Sequence, residues 1–370
     1  MIAVIADDLS GAAEIANAAL LAGLSAEVHL RFRAEARADV ICVDTASRSL
    51  PAEAAAARVG EVARAIAAAS PVFVYKKCDS VLRGSVAAEC LAVARAFGKK
   101  QILLLPANPS RRRIIRAGYY FVDGVLLSQT ALACDPEHPR HTSHVAELLG
   151  PTPSILTPDA AFGEDLVRFA LKVDAHTLPA GAVDFFNALL ATMPRHPAKP
   201  HPGHHAAASG EKSLYVCGSN AAWLCDRAGQ FAARRIPIFP MPRALFGRDL
   251  REDILGRWAG FAAAALRGHG AALLAIGGEE PAPETTPALL TLRLAQAVEL
   301  VLEQVPVARV FLEGGATATA VVRQLALEEF QAEPSPGPGI GALRPGAGEA
   351  PLFLIKPGSY PWPDSVWQPK

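Results

Sequence analysis

The chain has 370 residues, enough for two domains that each bury their own core. Hydrophobic residues make up 51% and charged residues 19%, and 36 Lys+Arg against 36 Asp+Glu leave a formal net charge of zero, so composition offers nothing to a nucleic-acid or polyanion partner. The six cysteines (Cys42, Cys78, Cys90, Cys134, Cys217, Cys225) show no Cys-x-x-Cys or finger-like spacing and no apolar run approaches bilayer length, which excludes a zinc finger, a disulfide scaffold and a membrane span.

Ile2 to Ala6 predicts the first strand, and Met1 leading straight into it is read as leaving no room for a signal peptide, so the expectation is a soluble, cytoplasmic protein. Asp7-Asp8-Leu9-Ser10-Gly11 forms the turn, and the Ala/Leu-rich run from Ala12 to Leu21 predicts a helix closed by Gly23. Adjacent carboxylates repel, so at least one of Asp7 and Asp8 is expected to meet a ligand or magnesium at this strand's carboxyl end. The plain alternative is that one caps the helix and the other is solvated. Further strands are read at 26–30 and 40–43, the latter delivering Ser47 and Arg48, with Pro51 opening a helix that runs to about Ala69. Arg48 is placed to hold a carboxylate bidentately.

Pro71 to Tyr75 reads as a buried strand, and Lys76 to Ser85 as the loop beyond it, with Lys76, Lys77, Asp79 and Arg83 in close succession. Cations beside one carboxylate suit an anionic hydroxylated substrate; the plain alternative is a solvated loop with a surface ion pair. Gln101 to Leu105 is another strand, Arg111, Arg112, Arg113 and Arg116 read as solvated basic surface, and Tyr119 to Leu126 predicts a hairpin turning at Asp123-Gly124. The histidines between His138 and His144 read as polar surface rather than metal ligands, and no metal ligand set is assigned.

Composition changes to Pro, His, Gly, Ala and Ser over 193–212, which divides the chain into a domain at 1–195, a linker at 196–212 and a domain at 213–370. The second domain opens with a strand at 213–217 and the turn Gly218-Ser219-Asn220, continues with a strand at 271–276 and a helix at 286–304, and reaches a strand at 309–312 followed by Glu313-Gly314-Gly315-Ala316-Thr317. Paired glycines before a helix let backbone N–H groups approach a phosphate, although no Gly-Lys-Ser/Thr of a Walker A loop occurs. A last strand at 352–355 ends in Lys356-Pro357-Gly358-Ser359, and Trp362 and Trp367 are expected to pack the tail onto the domain. The fold expected is α/β: two α/β domains with largely parallel sheets flanked by helices.

Ile5-Ala6-Asp7-Asp8-Leu9-Ser10-Gly11-Ala12 is similar to the Ala-Asp-Asp-Leu-Thr-Gly-Ala opening of the four-carbon acid sugar kinases, and Lys77-Cys78-Asp79-Ser80-Val81-Leu82-Arg83-Gly84 resembles that family's Lys-x-Asp-Ser-Thr-Leu-Arg-Gly. Ser47-Arg48, Tyr120 to Gly124, Gly218-Ser219, Gly314-Gly315-x-Thr317-Ala318 and Lys356-Pro357-Gly358-Ser359 follow in the family's order, so the resemblance spans essentially the whole chain. It implies an N-terminal sugar-acid domain, a C-terminal nucleotide domain, an active site in the interdomain cleft, and ATP- and Mg2+-dependent phosphorylation of a hydroxyl on threonate, erythronate or 3-oxo-tetronate. By the same resemblance Asp7, Asp8, Arg48, Lys77, Asp79, Ser80 and Arg83 are the substrate-binding residues. Ser219, Gly314, Gly315, Ala316, Thr317 and Gly358 would contact ATP, and a homodimer follows only from family habit.

The expected division of labour gives Arg48, Lys77 and Arg83 the carboxylate and the transferring phosphoryl group, and gives Asp79, with Asp8 as the alternative, the hydroxyl proton. Ala316 stands where the family commonly has aspartate, and Glu313 precedes the glycines as its possible substitute; Ser10 and Val81 replace threonines. Two other readings remain: a sugar-acid-binding protein that has lost catalysis, motivated by Ala316, and an NAD(P)-dependent sugar-acid dehydrogenase. Against the latter, Asp7-Asp8 rather than Gly-x-Gly-x-x-Gly follows the first strand.

Overall fold

Short β-branched and aliphatic runs, apolar on both faces, form the strands of two sheets, as buried parallel strands require. A computed structural model describes residues 1–135, 138–193, 211–218, 223, 227–278, 285–337, 339–346, 350–358 and 360–367. The chain divides into two units, Met1–Pro200 and His201–Lys370. Residues 194–210, which include most of the expected linker, lie outside the described residues, as does Cys225.

In the first unit, β1 (Ile2–Ala6), α1 (Leu9–Leu21), β2 (Ala26–His29), β3 (Val40–Asp44), α2 (Ala52–Ala68), β4 (Phe73–Lys77), α3 (Val86–Ala96) and β5 (Gln101–Leu105) follow in turn. Then come β6 (Arg113–Arg116), β7 (Tyr119–Val122), β8 (Val125–Leu126), α4 (Val145–Leu149), β9 (Ile155–Leu156), α5 (Gly163–Ala170), β10 (Thr177–Gly181) and α6 (Val183–Thr192). The main sheet is parallel throughout, in the order β2-β3-β1-β4-β10-β5-β9. Strand order reverses at β1: the chain moves outward to β2 and returns through β3, then crosses to β4 on the other side. A crevice beside such a reversal is where ligands bind in open α/β sheets. The expected hairpin is β7–β8, with Val122 opposite Val125 and Asp123 and Gly124 at φ 53 and 83, the signature of a type I′ turn.

Helix α1 is buried along nearly its whole length. Alanine and glycine leave it narrow enough to pack against strands and against α6 at once. Its end is a Schellman motif: Gly23, at φ 84, donates its N–H to Leu20 O (2.9 Å) and Leu24 donates to Ala19 O (3.0 Å).

Two readings need correction. Strand β4 does not stop at Tyr75; it includes Lys76 and Lys77, both buried. Their ammonium groups find carboxylates within the fold, so the change from apolar to charged residues marks no strand end. Arg113 is likewise not solvated surface but a buried residue of β6, whereas Arg112 and Arg116 are exposed.

The second unit contains β11 (Ser213–Cys217), α7 (Arg227–Ala233), β12 (Ile238–Pro240), α8 (Glu252–His269), β13 (Ala271–Ala275) and α9 (Pro287–Gln304). It continues with β14 (Arg309–Glu313), α10 (Gly315–Gln324), β15 (Glu329–Glu333), β16 (Gly341–Pro345) and β17 (Leu352–Lys356). The order β12-β13-β11-β14-β17 is parallel, and β16 and β15 add antiparallel strands beyond β17. The tail packs as expected: Trp367 stacks on Tyr215 at 5.7 Å and Trp362 meets Phe311 edge-on at 5.3 Å. Among the described residues no helix is long and apolar enough to cross a membrane.

Candidate active site

The parallel register brings the carboxyl ends of three strands of the first unit level, with Ala6 paired to Asp44 on one side and Lys77 on the other. Asp7 and Asp8 leave β1 at this point. Asp8 caps α1, its Oδ1 accepting the Gly11 N–H (2.7 Å) and its Oδ2 the Ser10 hydroxyl (2.6 Å). Arg48, arriving from β3, donates Nε to Asp7 Oδ2 (2.7 Å), Nη2 to Asp7 Oδ1 (2.9 Å) and Nη1 to Asp8 Oδ2 (2.6 Å). Neither aspartate is solvated. Burial alone pushes the Asp7 carboxyl up, but Arg48, Lys76 and Lys77 outweigh it and hold the group below its ordinary value. One arginine resolves the repulsion between two adjacent carboxylates.

The turn after β4 is built around Asp79. Its Oδ2 accepts the backbone N–H groups of Val81 and Arg83 and the Arg83 Nε, each at 3.1 Å, and its Oδ1 accepts Arg83 Nη2 at 2.8 Å. Burial pushes this carboxyl up, yet Arg83, then Arg48, together with these hydrogen bonds hold it well below the ordinary carboxylate range. The turn has two left-handed positions, Leu82 at φ 62 and Gly84 at φ 81. A Cβ at Gly84 would lie 3.0 Å from the Arg48 carbonyl oxygen, so glycine is needed for conformation and for close approach. Behind the turn, Arg113 Nη1 donates to the Ser80 hydroxyl and the Tyr120 hydroxyl to the Ser80 carbonyl. The β6–β7 hairpin thus buttresses Ser80.

The two lysines have different partners. Lys76 Nζ lies 2.8 Å from Glu89 Oε2 on α3, and Glu89 Oε1 accepts the Ser47 hydroxyl (2.8 Å), which ties the Arg48 loop to the helix behind it. Lys77 Nζ donates to Cys78 O (2.9 Å) and lies 3.5 Å from Glu14 Oε2, with Glu14 Oε1 buried and without a partner among the described residues.

Asp7, Asp8, Arg48, Lys77, Asp79, Ser80 and Arg83 therefore come together at the ends of β1, β3 and β4. Sequence reasoning missed Glu14, Glu89, Asp135, whose Oδ2 is 3.6 Å from Arg83 Nη1, and the buried Arg140. Glu14 carried a signal, the one carboxylate in a buried, largely apolar helix. Asp135 and Arg140 lie in irregular chain among prolines and histidines, where no periodicity marks a buried side chain.

In the second unit, Cys217, Glu313 and Lys356 are level at the ends of β11, β14 and β17. Gly218 follows β11, and a Cβ there would fall on the Thr317 hydroxyl. Gly314, at φ 103, opens α10 with no side-chain cap, and its N–H donates to Lys356 O at 2.9 Å. Ala316 and Thr317 occupy the helix's first turn, Gly358 follows β17, and Ser219 and Ser359 lie outside the described residues. Glu313 is engaged below this turn: Oε1 accepts Arg227 Nη2 (2.7 Å) and lies 2.8 Å from Lys356 Nζ, and Oε2 accepts Trp362 Nε1 (3.2 Å). Burial pushes the Lys356 ammonium down to about 8 against the opposing pull of Glu313.

A glycine-opened, side-chain-uncapped helix start suits an anionic phosphate. Among the described residues no group of three His, Cys, Asp or Glu side chains is arranged to hold a metal ion.

Comparison with known proteins bears out the resemblance to the four-carbon acid sugar kinases. Residues 2–171 match the family model described as the sugar-binding N-terminal domain. The chain is 36% identical over 149 residues to a D-threonate kinase of Salmonella typhimurium, a match that covers 40% of this chain and 35% of that protein. It is 39% identical over 158 residues to a D-threonate kinase of Bordetella bronchiseptica, with 40% and 39% covered. The chain thus spans little more than a third of those two relatives. A 3-oxo-tetronate kinase of Methylobacterium radiotolerans is 28% identical over 404 residues, with 96% of this chain and 95% of that protein covered. Two solved structures share the fold at 18% identity: a Salmonella typhimurium protein with TM-score 0.73 (99% of this chain, 97% of that one) and a Haemophilus influenzae protein of family-model DUF1537 with TM-score 0.67 (98% of each).

Proposed function

We propose that this chain is an ATP-dependent kinase that phosphorylates a hydroxyl of a four-carbon sugar acid. The observation that carries the reading is the buried Asp7/Asp8–Arg48 and Asp79–Arg83 cluster at the ends of β1, β3 and β4, in the unit that matches a sugar-binding domain. Carboxylates and guanidinium groups locked in place this way can orient a hydroxylated substrate without reorganising when it binds.

ATP, with magnesium on its phosphates, supplies the phosphoryl group. A bond forms between the substrate oxygen and the γ-phosphorus, the bond to the β-phosphate oxygen breaks, and ADP leaves. Little covalent chemistry is left to the protein. In this reading Asp8 receives the hydroxyl proton, with Arg48 on its Oδ2 and the start of α1 at its Oδ1. Asp79, which Arg83 and Arg48 hold well below the ordinary carboxylate range, orients Arg83 and the turn. Lys77, beside Gly11 at the start of α1, adds positive charge near the transferring group. The first turn of α10, with Gly314, Gly315, Ala316 and Thr317, is assigned to the ATP phosphates.

The test is ATP consumption with magnesium against D-threonate, D-erythronate, 3-oxo-tetronate and neighbouring sugar acids. Turnover on one acid supports the reading. ATP binding with no turnover across the panel would replace it with the non-catalytic one. For the roles, Asp8→Asn should lower kcat by at least about 100-fold, the usual scale of a lost general base, with little change in the KM for ATP. Unchanged turnover in that variant would remove Asp8 from the chemistry.

A further inference from the structure

We propose that Arg140 is the residue that takes the substrate's carboxylate, an inference that rests on the sugar-acid reading and assigns its anion-binding group. The other arginines of the cluster are engaged from within: Arg48 by Asp7 and Asp8, Arg83 by Asp79, with Asp135 3.6 Å away, and Arg113 by Ser80. With two aspartates on Arg48 and Asp79 on the Nε–Nη2 edge of Arg83, the edges that grip a carboxylate bidentately are already taken.

Arg140 is different. It is only 9% exposed, its Nε is buried without an acceptor, and among the described residues its guanidinium has no hydrogen bond or ion pair. Its backbone is anchored, with its N–H donating to Leu132 O at 3.0 Å, and the same loop delivers Asp135 to Arg83. The side chain lies in the field of Asp79, Arg83 and Asp135. Burial pulls the Arg140 guanidinium down, while the carboxylates around Arg48 and Arg83 push those two groups up.

Buried donors without acceptors are costly, and a water, an ion or a ligand is what completes them. A planar carboxylate is the natural complement of the arginine fork. With Arg140 holding the acid group, Asp8 and Arg48 are left to the hydroxyl end.

The experiment is calorimetric titration of the full chain with D-threonate and D-erythronate, and with the neutral polyols threitol and erythritol, for wild type, Arg140→Gln and Arg140→Lys, alongside thermal melts without ligand. Wild type is expected to prefer an acid over its polyol. R140Q should lose about 10- to 100-fold in acid affinity, the scale of a charge-assisted bidentate pair, with polyol affinity unchanged and a melting temperature equal to or above that of wild type. R140K, charged but without the fork, should fall between. Acid affinity unchanged in R140Q overturns the inference and leaves the sugar-acid reading intact. Absence of acid binding by wild type overturns both. If R140Q melts below wild type, R140K decides, since full acid affinity without the fork overturns the assignment.

Discussion

Asp79 is buried, ionised and bound on both oxygens, so removing it and protonating it should act on the fold in the same way. Asp79→Asn leaves Arg83 without its carboxylate, and breaking a buried pair costs about 3 kcal/mol or more. Because the folded-state value is depressed, this contribution is complete above the unfolded carboxylate range near about 4 and is lost as pH falls through the folded value below it. Urea unfolding should therefore separate wild type from D79N at pH 7, and the gap should narrow as pH falls below about 4; a gap of unchanged size in acid would contradict the assignment. Lys356 runs the other way. Its ammonium faces Glu313, Arg227 and Cys217 and is pushed down to about 8. Between that pH and the unfolded lysine value near about 10.4 the unfolded chain binds more protons, so stability rises with pH across that window. Lys356→Met should remove the rise, read from denaturant midpoints at pH 7 and 9.5.

At the scale of elements, the site depends on how closely backbones approach. Gly84 and Gly181 each face a neighbouring carbonyl: a Cβ at 84 would lie 3.0 Å from Arg48 O, and one at 181 would fall closer still to Leu105 O. Gly84→Ala and Gly181→Ala should each destabilise the chain by about 1 kcal/mol or more. Only G84A should also weaken sugar-acid binding, because the clash displaces the loop that carries Arg48. Calorimetry on both variants checks this, and equal acid affinity in G84A and wild type would detach that turn from the site. The β4 correction is of the same kind. Sequence periodicity places a strand end where charge begins, but Lys76 and Lys77 extend the strand because Glu89 and Glu14 wait on α3 and α1, and nothing local to residues 71–85 records those partners.

For the whole molecule, a formal net charge of zero removes the mutual repulsion that keeps a protein dispersed. Low-salt solubility should be lowest near neutral pH and improve on either side. A flat turbidity profile from pH 5 to 9 would count against this.

What the sequence by itself determined is local or compositional. The α/β alternation, the hairpin turn at Asp123-Gly124, the Schellman end of α1, the glycine-opened start of α10 and the motif residues at strand ends all follow from steric preference and short-range pattern. Each is set by residues within a few positions of one another, which is why they were legible. Only the tertiary structure decided which charges pair. The motifs put Asp7, Asp8, Arg48, Asp79 and Arg83 in one region, but not that Arg48 and Arg83 are filled by aspartates, that Glu313 is occupied by Arg227, Lys356 and Trp362, or that Arg140 is buried with its Nε unmet. The partners are separated by up to 86 residues, and Coulomb pairing in a buried site depends on distances that only the packed chain sets.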